Sequence, residues 1–303
     1  MLRLGGWALS LVAIAYVLVQ LWPYLGQLAT LFDDGRRRAV IASSALFYAA
    51  LLLLPALGWV LLLRGCAGVA VPLRTGIAIH CRAQLLKYLP SNALHLIGRH
   101  TMARRLGAGH AALVWSAVAE TALIALSAMT LALTLGFRLF EGTRLSSWSS
   151  DLWPAGALLS LALLLAVTTL LLRFRPNAGL TVRWPQGLAA IAGAALAYVA
   201  FFLANGGVLV LLTRVAVPGA EMDPTLLLGL VSGAWVLGFI TPGAPAGIGV
   251  REAVLLSGLE VLGAGTMAAP LAMTYRVVTT GGDLLCGTLA LLLAARRERR
   301  REG

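Results

Sequence analysis

The chain alternates between long apolar runs and short polar segments. A helix of about 20 apolar residues is long enough to cross a bilayer, and we count six such runs. We therefore predict an all-α polytopic membrane protein that forms a single transmembrane domain over residues 1–303. The first run has no clear small-residue cleavage site, so it is interpreted as an uncleaved span. The predicted full spans are Gly6–Leu28, Val40–Leu63, Ala111–Leu135, Leu152–Leu172, Leu188–Leu212 and Met267–Ala294.

Proline and glycine interrupt the apolar segment Leu226–Leu262. Proline removes a backbone donor and clashes with the preceding helical turn, whereas glycine adopts backbone conformations that other residues avoid. Broken backbone at membrane depth is tolerated only where it is buried in protein or lines a wet cavity. We therefore expect two half-helices that meet inside the protein, with a short exposed loop between two full spans as the alternative. The residues predicted to form this break are Pro242, Gly243, Pro245, Gly247 and Gly249.

A second interrupted segment, Val69–Ile97, is mixed in character rather than plainly apolar. Pro90 is predicted to break its helix, and Asn92 after it belongs to a residue type that caps a new helix. Basic side chains beside the free amides of a helix start suit a phosphate group. An interfacial amphipathic helix, whose Arg82 and Lys87 reach the lipid headgroups, is the equal alternative.

Lysine and arginine near span ends predict the orientation, because they favour the cytoplasmic side. The tail Arg296–Glu302 carries five arginines. Both termini are then cytoplasmic, provided that each broken segment enters and leaves on one side as a re-entrant segment. Arg36–Arg38 fall outside in this topology, against the rule. The halves 1–137 and 138–303 have opposite orientations, which predicts the inverted repeat of many transporters.

Composition supports a membrane location and excludes several other classes of protein. Hydrophobic residues make up 59% of the chain and charged residues 12%, whereas soluble domains have about 25% charged residues. The net charge of +12 collects near span ends, without the basic and aromatic face of a nucleic-acid binder. The cysteines and histidines match no metal motif. No nucleotide-binding glycine loop is present, so we expect no cofactor, no metal and no enzymatic activity.

Ionisable residues inside the predicted spans indicate a polar interior. Each costs about 2.5–3.5 kcal/mol at the centre of a span on insertion scales, so they should face the bundle and be paired. We predict that Glu120 pairs with Arg276, and that Asp283 pairs with Arg251 or Arg276. Arg276 and Asp283 are seven residues apart, about two turns, and so share one helix face. Structural pairing without any ligand is the alternative.

Two stretches together resemble the transmembrane-region family of lysylphosphatidylglycerol synthases, the flippase-like membrane half of the multiple peptide resistance factor. They are Gln84-Leu-Leu-Lys-Tyr-Leu-Pro-Ser-Asn92, followed by Arg99, and Thr241-Pro-Gly-Ala-Pro-Ala-Gly-Ile-Gly-Val-Arg-Glu252. Glu120 and Tyr275-Arg276 are supporting matches, and the resemblance covers about residues 5 to 295. Ser91 and Ala246 stand where the family usually has glycine. Residues 1–303 do not include the aminoacyltransferase domain of the full synthases, so we expect a stand-alone member of the family.

The resemblance implies a flippase-like transporter of the bacterial inner membrane that moves a phosphate-bearing lipid or lipid-linked sugar between leaflets. The expected partners are membrane lipids, either anionic phospholipid or a polyprenyl-phosphate-linked cargo, and a homo-oligomer or a glycosyltransferase partner stays open. A membrane-embedded lipid-modifying enzyme and a structural partner in a glycolipid-assembly complex are the alternatives. The predicted lipid- or phosphate-binding residues are Arg82, Gln84, Lys87, Tyr88, Asn92, Arg99 and Arg276. The predicted gating or ion-pair residues are Glu120, Arg251, Glu252 and Asp283.

Overall fold

The computed structural model describes residues 34–88, 94–136, 139, 146–174, 184–219, 221–241 and 245–302. Within those ranges all regular structure is helical, as predicted for the fold class. The predicted first span, Gly6–Leu28, lies outside them. The helices are α1 (Gly35–Leu51), α2 (Leu53–Gly65), α3 (Leu73–Gln84), α4 (Leu94–Arg104), α5 (His110–Leu135), α6 (Ser146–Arg173), α7 (Trp184–Ala216), α8 (Pro224–Ile240), α9 (Val250–Val261) and α10 (Ala268–Glu302).

Four helical stretches in the described part of the chain are long and apolar enough to cross a membrane. Each overlaps a span predicted from the sequence. Two shorter apolar helices, Leu158–Arg173 within α6 and Pro224–Ile240, accompany them. The fold is therefore that of a helical membrane protein by length and composition. The four long stretches are Gly35–Gly65, which joins α1 and α2, His110–Leu135, Pro185–Ala216 and Gly265–Arg296.

Two of the helices begin at aspartates that the sequence places at polar gaps. The Asp34 carboxylate accepts a hydrogen bond from the Arg36 amide at 3.0 Å and caps α1. Asp223 accepts one from the Thr225 amide at 2.8 Å and caps α8, whose first residue is Pro224. A capping carboxylate satisfies an amide that has no partner within the helix, and proline at the first position loses no hydrogen bond.

Both segments that were predicted to be interrupted change helix type within the described residues. In the first, α3 passes into a 3₁₀ turn at Leu85–Tyr88, here called the first break turn, and the chain resumes as α4. In the second, α8 and α9 are separated by a 3₁₀ turn at Pro245–Gly247, the second break turn. Pro90, Asn92, Pro242 and Gly243 lie outside the described residues, so the structure describes only part of each predicted break.

Backbone conformation explains the glycines of the second break. Gly247 and Gly249 have φ of +71° and +86°, in a region that side chains with a Cβ avoid. Ala246 has φ of +52° and is the only non-glycine residue with positive φ in the described ranges. The left-handed conformation costs an alanine roughly 1–2 kcal/mol.

Helix packing brings the two interrupted segments together. The first break turn contacts the second break turn, and Tyr88 is buried against Ala246 and Ile248. Around them, α3 packs on α10 while α8 packs on α5, and α2 packs along α7. Further contacts join α1 to α10 and α5 to α7. The two break turns therefore contact each other in the interior of the bundle, where Tyr88 is buried.

The crossing of α8 and α5 depends on paired glycines. A Cβ placed on Gly229 of α8 would lie 2.1 Å from the backbone nitrogen of Gly136, which caps α5. Real Cβ atoms do not approach backbone so closely, so any side chain at this position would push α8 off α5. Small residues that let helices approach in this way are typical of helix packing in membranes.

We predict that Gly229→Ala lowers the thermal unfolding midpoint of the detergent-solubilised protein. Overpacking of this kind costs about 1–3 kcal/mol, and backbone cannot move aside as a flexible side chain would. Gly207→Ala is the matched control, since a Cβ on this exposed helical glycine of α7 meets nothing within 4 Å. Equal midpoints for the two variants would contradict the close crossing.

Candidate functional site

A polar cavity of about 170 Å³ lies where the two break turns meet. A cavity of roughly 10–15 Å³ is enough for a single water molecule, so this cavity admits a larger group. We call it the central cavity. It is lined by Tyr48, Leu52, Pro55, His80, Gln84, Lys87, Tyr88, His95, Leu96, Arg99, Glu120, Thr121, Ile124, Phe201, Trp235, Gly238, Phe239, Ala246, Gly247, Arg251, Arg276, Thr279 and Asp283.

The Glu120 carboxylate organises one side of the central cavity. Its Oε1 lies 3.0 Å from His80 Nε2, and its other oxygen forms a salt bridge with Arg99. Gln84 Nε2 lies 3.3 Å from His80 Nδ1. If the Gln84 amide donates, the imidazole is the Nε2–H tautomer, which donates to the carboxylate. The Arg99 guanidinium also lies over the Trp59 ring, 4.6 Å from its centroid, so this cation has an acidic partner and an aromatic one.

The first break turn is joined to α10 through Asp283. Lys87 Nζ lies 2.7 Å from Asp283 Oδ2, and the side chains are 21% and 3% exposed. The Tyr88 hydroxyl donates to the same oxygen at 2.5 Å. Two consecutive residues of the break turn thus bind one buried carboxylate. Within the residues described, Asp283 Oδ1 has no hydrogen-bond partner.

The second break turn is joined to the same helix through Arg276. Arg276 Nε lies 2.8 Å from Glu252 Oε1, and Arg276 Nη2 donates to the Ala246 carbonyl at 3.3 Å. The other Glu252 oxygen accepts a hydrogen bond from the Gly249 amide at 2.6 Å, at the start of α9. Glu252 therefore satisfies both a buried cation and a free amide of the break.

Arg251 differs from the other cations of the central cavity. Lys87, Arg99 and Arg276 each contact a carboxylate. Arg251 forms no salt bridge with any described residue, and its buried Nε has no hydrogen-bond partner among them. Its guanidinium lies 5.5 Å from the centroid of the Trp235 ring, a cation–π contact that leaves its charge uncompensated.

Two glycines make room for Arg251. A Cβ on Gly238 or on Gly247 would come within 2.6 Å of the Arg251 side chain. Both glycines also line the central cavity. The break sequence therefore holds this side chain against bare backbone at the edge of the cavity, and a larger residue at either position would displace it.

Most of the predicted binding residues that the structure describes line the central cavity. They are Gln84, Lys87, Tyr88, Arg99 and Arg276. Arg82 does not line it, and Asn92 lies outside the described residues. Of the predicted gating or ion-pair residues, Glu120, Arg251 and Asp283 line the cavity, and Glu252 supports it through Arg276.

The predicted pairings were wrong, although each acid does contact a cation. Glu120 contacts Arg99 and His80 rather than Arg276, and Asp283 contacts Lys87 rather than Arg251 or Arg276. The physical reason is that α4 and the first break turn bring their own cations into the interior. The partners predicted for Glu120 and Asp283 lay only in the spans and in the second break.

The contributors that were missed include His80, Trp59 and Trp235. From the sequence, the histidines were noted only as matching no metal motif. The spacing of His80 from Gln84 and Lys87, four and seven residues along, places all three on one helical face, and that polar stripe was the available signal. Nothing in the sequence marked the two tryptophans as partners of arginines, because each contact joins separate helices.

Comparison with models of known protein families gives no match for this chain, and comparison with curated proteins gives none either. In the part of the chain that the structure describes, no group of three or more histidine, cysteine, aspartate or glutamate side chains could hold a metal ion.

We predict strong coupling between Lys87 and Asp283. Removal of either partner leaves a largely buried charge unpaired, which costs about 3 kcal/mol or more. Lys87→Ala and Asp283→Ala should each lower the free energy of unfolding in mixed micelles, whereas the double variant should lose less than the two single losses combined. Arg214→Ala, at an exposed arginine of α7, should stay within about 0.5 kcal/mol of the parent. Additive losses would contradict the ion pair.

Proposed function

We propose that the protein is a flippase-like transporter that moves a phosphate-bearing lipid or lipid-linked sugar between the leaflets of the bacterial inner membrane. The cation Arg251, which has no acidic partner among the described residues, carries the proposal. A charge without a counterion is costly in an apolar bundle. A ligand phosphate would supply the missing negative charge and accept charge-assisted hydrogen bonds from the guanidinium.

The surroundings of Arg251 support an anionic headgroup. The start of α9 lies at the same break, and the N-terminus of a helix carries a partial positive charge. Tyr88, Thr279 and Gln84 add polar groups to the wall of the central cavity. A cavity of about 170 Å³ suits a group of phosphate size better than a whole lipid. We infer that only the headgroup enters it.

The motif residues that resemble the transmembrane region of lysylphosphatidylglycerol synthases also support a headgroup site in the central cavity. Lys87, Tyr88, Gly247, Arg251 and Arg276 belong to those motifs, and all of them line the central cavity. Motif residues dispersed over the bundle would have argued for a role in folding alone. We propose that the chain is a transporter and not an enzyme, and that membrane lipids are its partners.

We further propose six spans, two re-entrant broken segments and an inverted repeat. Reciprocal contacts support the repeat. The first arm of each broken segment packs on the last span of the other half, with α3 on α10 and α8 on α5. The two break turns, which would be equivalent, contact each other, as do the equivalent spans represented by α2 and α7. A two-fold axis through the break turns would generate all of these contacts.

We predict that Arg251→Gln reduces the rate of lipid flipping by at least about tenfold. A tenfold change corresponds to about 1.4 kcal/mol, which is slightly less than one charge-assisted hydrogen bond contributes. The assay uses proteoliposomes that contain phosphatidylglycerol with a fluorophore on one acyl chain, which leaves the headgroup unmodified, and dithionite quenches the outer leaflet. Arg214→Gln, at an exposed arginine, is the matched control. Arg251→Lys should retain part of the activity because it retains the charge.

Other outcomes of this assay would favour the other functions. Full transport by Arg251→Gln would refute the phosphate role. A lipid of altered mass in the parent proteoliposomes, found by mass spectrometry, would indicate a membrane-embedded enzyme. No transport by the parent protein, together with a co-purifying glycosyltransferase, would indicate a structural partner in glycolipid assembly.

The proposed topology predicts which cysteines a membrane-impermeant maleimide reaches in cells with a permeable outer membrane. In a background without Cys66, Cys81 and Cys286, Glu221→Cys should react in intact cells. Arg105→Cys and Arg296→Cys should react only after the inner membrane is opened, because positively charged span ends stay cytoplasmic. The reverse labelling pattern would show that the topology is inverted. Labelling of all three cysteines in intact cells would exclude the proposed topology.

A further inference from the structure

We infer that an apolar groove between α4 and α5 holds a hydrocarbon chain of the lipid whose headgroup enters the central cavity. This inference rests on the proposed function and names the part of the lipid that stays outside the cavity. We call this groove the side groove, and its volume is about 260 Å³. It is lined by Trp59, Leu96, Ile97, Arg99, His100, Leu113, Val114, Ala117 and Val118.

The side groove adjoins the central cavity at two shared residues. Leu96 and Arg99 line both spaces. On the cavity side of Arg99 lie the buried carboxylate of Glu120 and the other charged groups. On the groove side lie Leu113, Val114 and Val118, which are aliphatic. A molecule that occupies both spaces must therefore carry a polar group at one end and an apolar group at the other.

The outer wall of the side groove is open to the surroundings of the bundle. Ile97, Val114 and Val118 are 54%, 55% and 59% exposed. α5 is one of the four helical stretches long enough to cross a membrane, so its exposed aliphatic face meets hydrocarbon rather than water. A chain that leaves the central cavity through this groove would thus pass directly into the bilayer.

These observations favour a lipid chain over a helix of another protein. The inner end of the groove is the Arg99 guanidinium, stacked on Trp59, and a packed partner helix would cover that entrance to the cavity. A lipid chain instead fills a narrow apolar space and continues a headgroup already drawn to Arg251. One lipid molecule would then contact the charged cavity with its headgroup and the apolar wall of the groove with its chain.

The test introduces bulk into the groove while leaving the cavity cations in place. Ala117→Trp fills the groove from α5, and Val114→Trp does so from a side chain exposed enough to tolerate the change. Ala192→Trp is the matched control, because this exposed alanine of α7 lines neither space. Dioleoyl-phosphatidylglycerol is titrated into the purified full-length protein in detergent, and bound lipid is counted by native mass spectrometry.

We expect both groove variants to bind dioleoyl-phosphatidylglycerol about tenfold more weakly, the effect of losing burial of two methylene groups. Ala192→Trp should bind as the parent does. The soluble headgroup sn-glycerol 3-phosphate should raise the thermal midpoint of the parent and of Ala117→Trp equally, since the cavity is intact in both.

Each contrary outcome refutes a different statement. Unchanged lipid binding in both groove variants, together with loss in Arg251→Gln, would overturn the side groove and leave the headgroup site standing. Unchanged binding in Arg251→Gln would overturn the proposed function itself. If sn-glycerol 3-phosphate bound as tightly as the lipid, the ligand would be a soluble phosphate and the groove would have no such role.

Discussion

Hydrocarbon offers no hydrogen bonds and no screening of charge, and the interior of this protein depends on that constraint. A backbone group freed by a helix break, or a charge carried inside a span, must find its partner within the protein. Glu252 meets both needs at once, because its two oxygens bind the Gly249 amide and the Arg276 guanidinium. Asp283 similarly binds Lys87 and Tyr88. The breaks and the charges therefore lie together because each satisfies the other.

This arrangement gives Arg251 its significance. Charges that are mutually paired can be explained by structure alone, and such pairs are weak grounds for a function. Three of the four cations that line the central cavity fall into this class. Arg251 does not, and the glycines at positions 238 and 247 leave it space where larger residues would exclude it. The glycines of the break therefore shape the surroundings of a cation as well as permitting a turn.

The sequence predicted those features that are encoded locally. Long apolar runs located the four spans that the structure describes as helices, and glycine with proline located the second break. Partner choice was not predictable in the same way. Arg99 reaches Glu120 because α4 folds back on α5, and Lys87 reaches Asp283 across most of the chain. A single sequence contains no signal for such pairs beyond their charge. The αL conformation of Ala246 was equally hidden, since alanine gives no local sign of it.

The exposed flank of α5 beside the central cavity also affects the work that transport would require. Removing a lipid chain from hydrocarbon into water costs about 0.8 kcal/mol per CH₂ group, so a chain of about 16 carbons would meet a barrier of roughly 13 kcal/mol. In the proposed transport, a groove whose wall includes Val114 and Val118, both more than half exposed, would leave the chain in the bilayer throughout. The protein would then have to lower the barrier only for the headgroup, and a cavity far smaller than a lipid would be sufficient. The length of the chain should therefore have little influence on the rate of crossing.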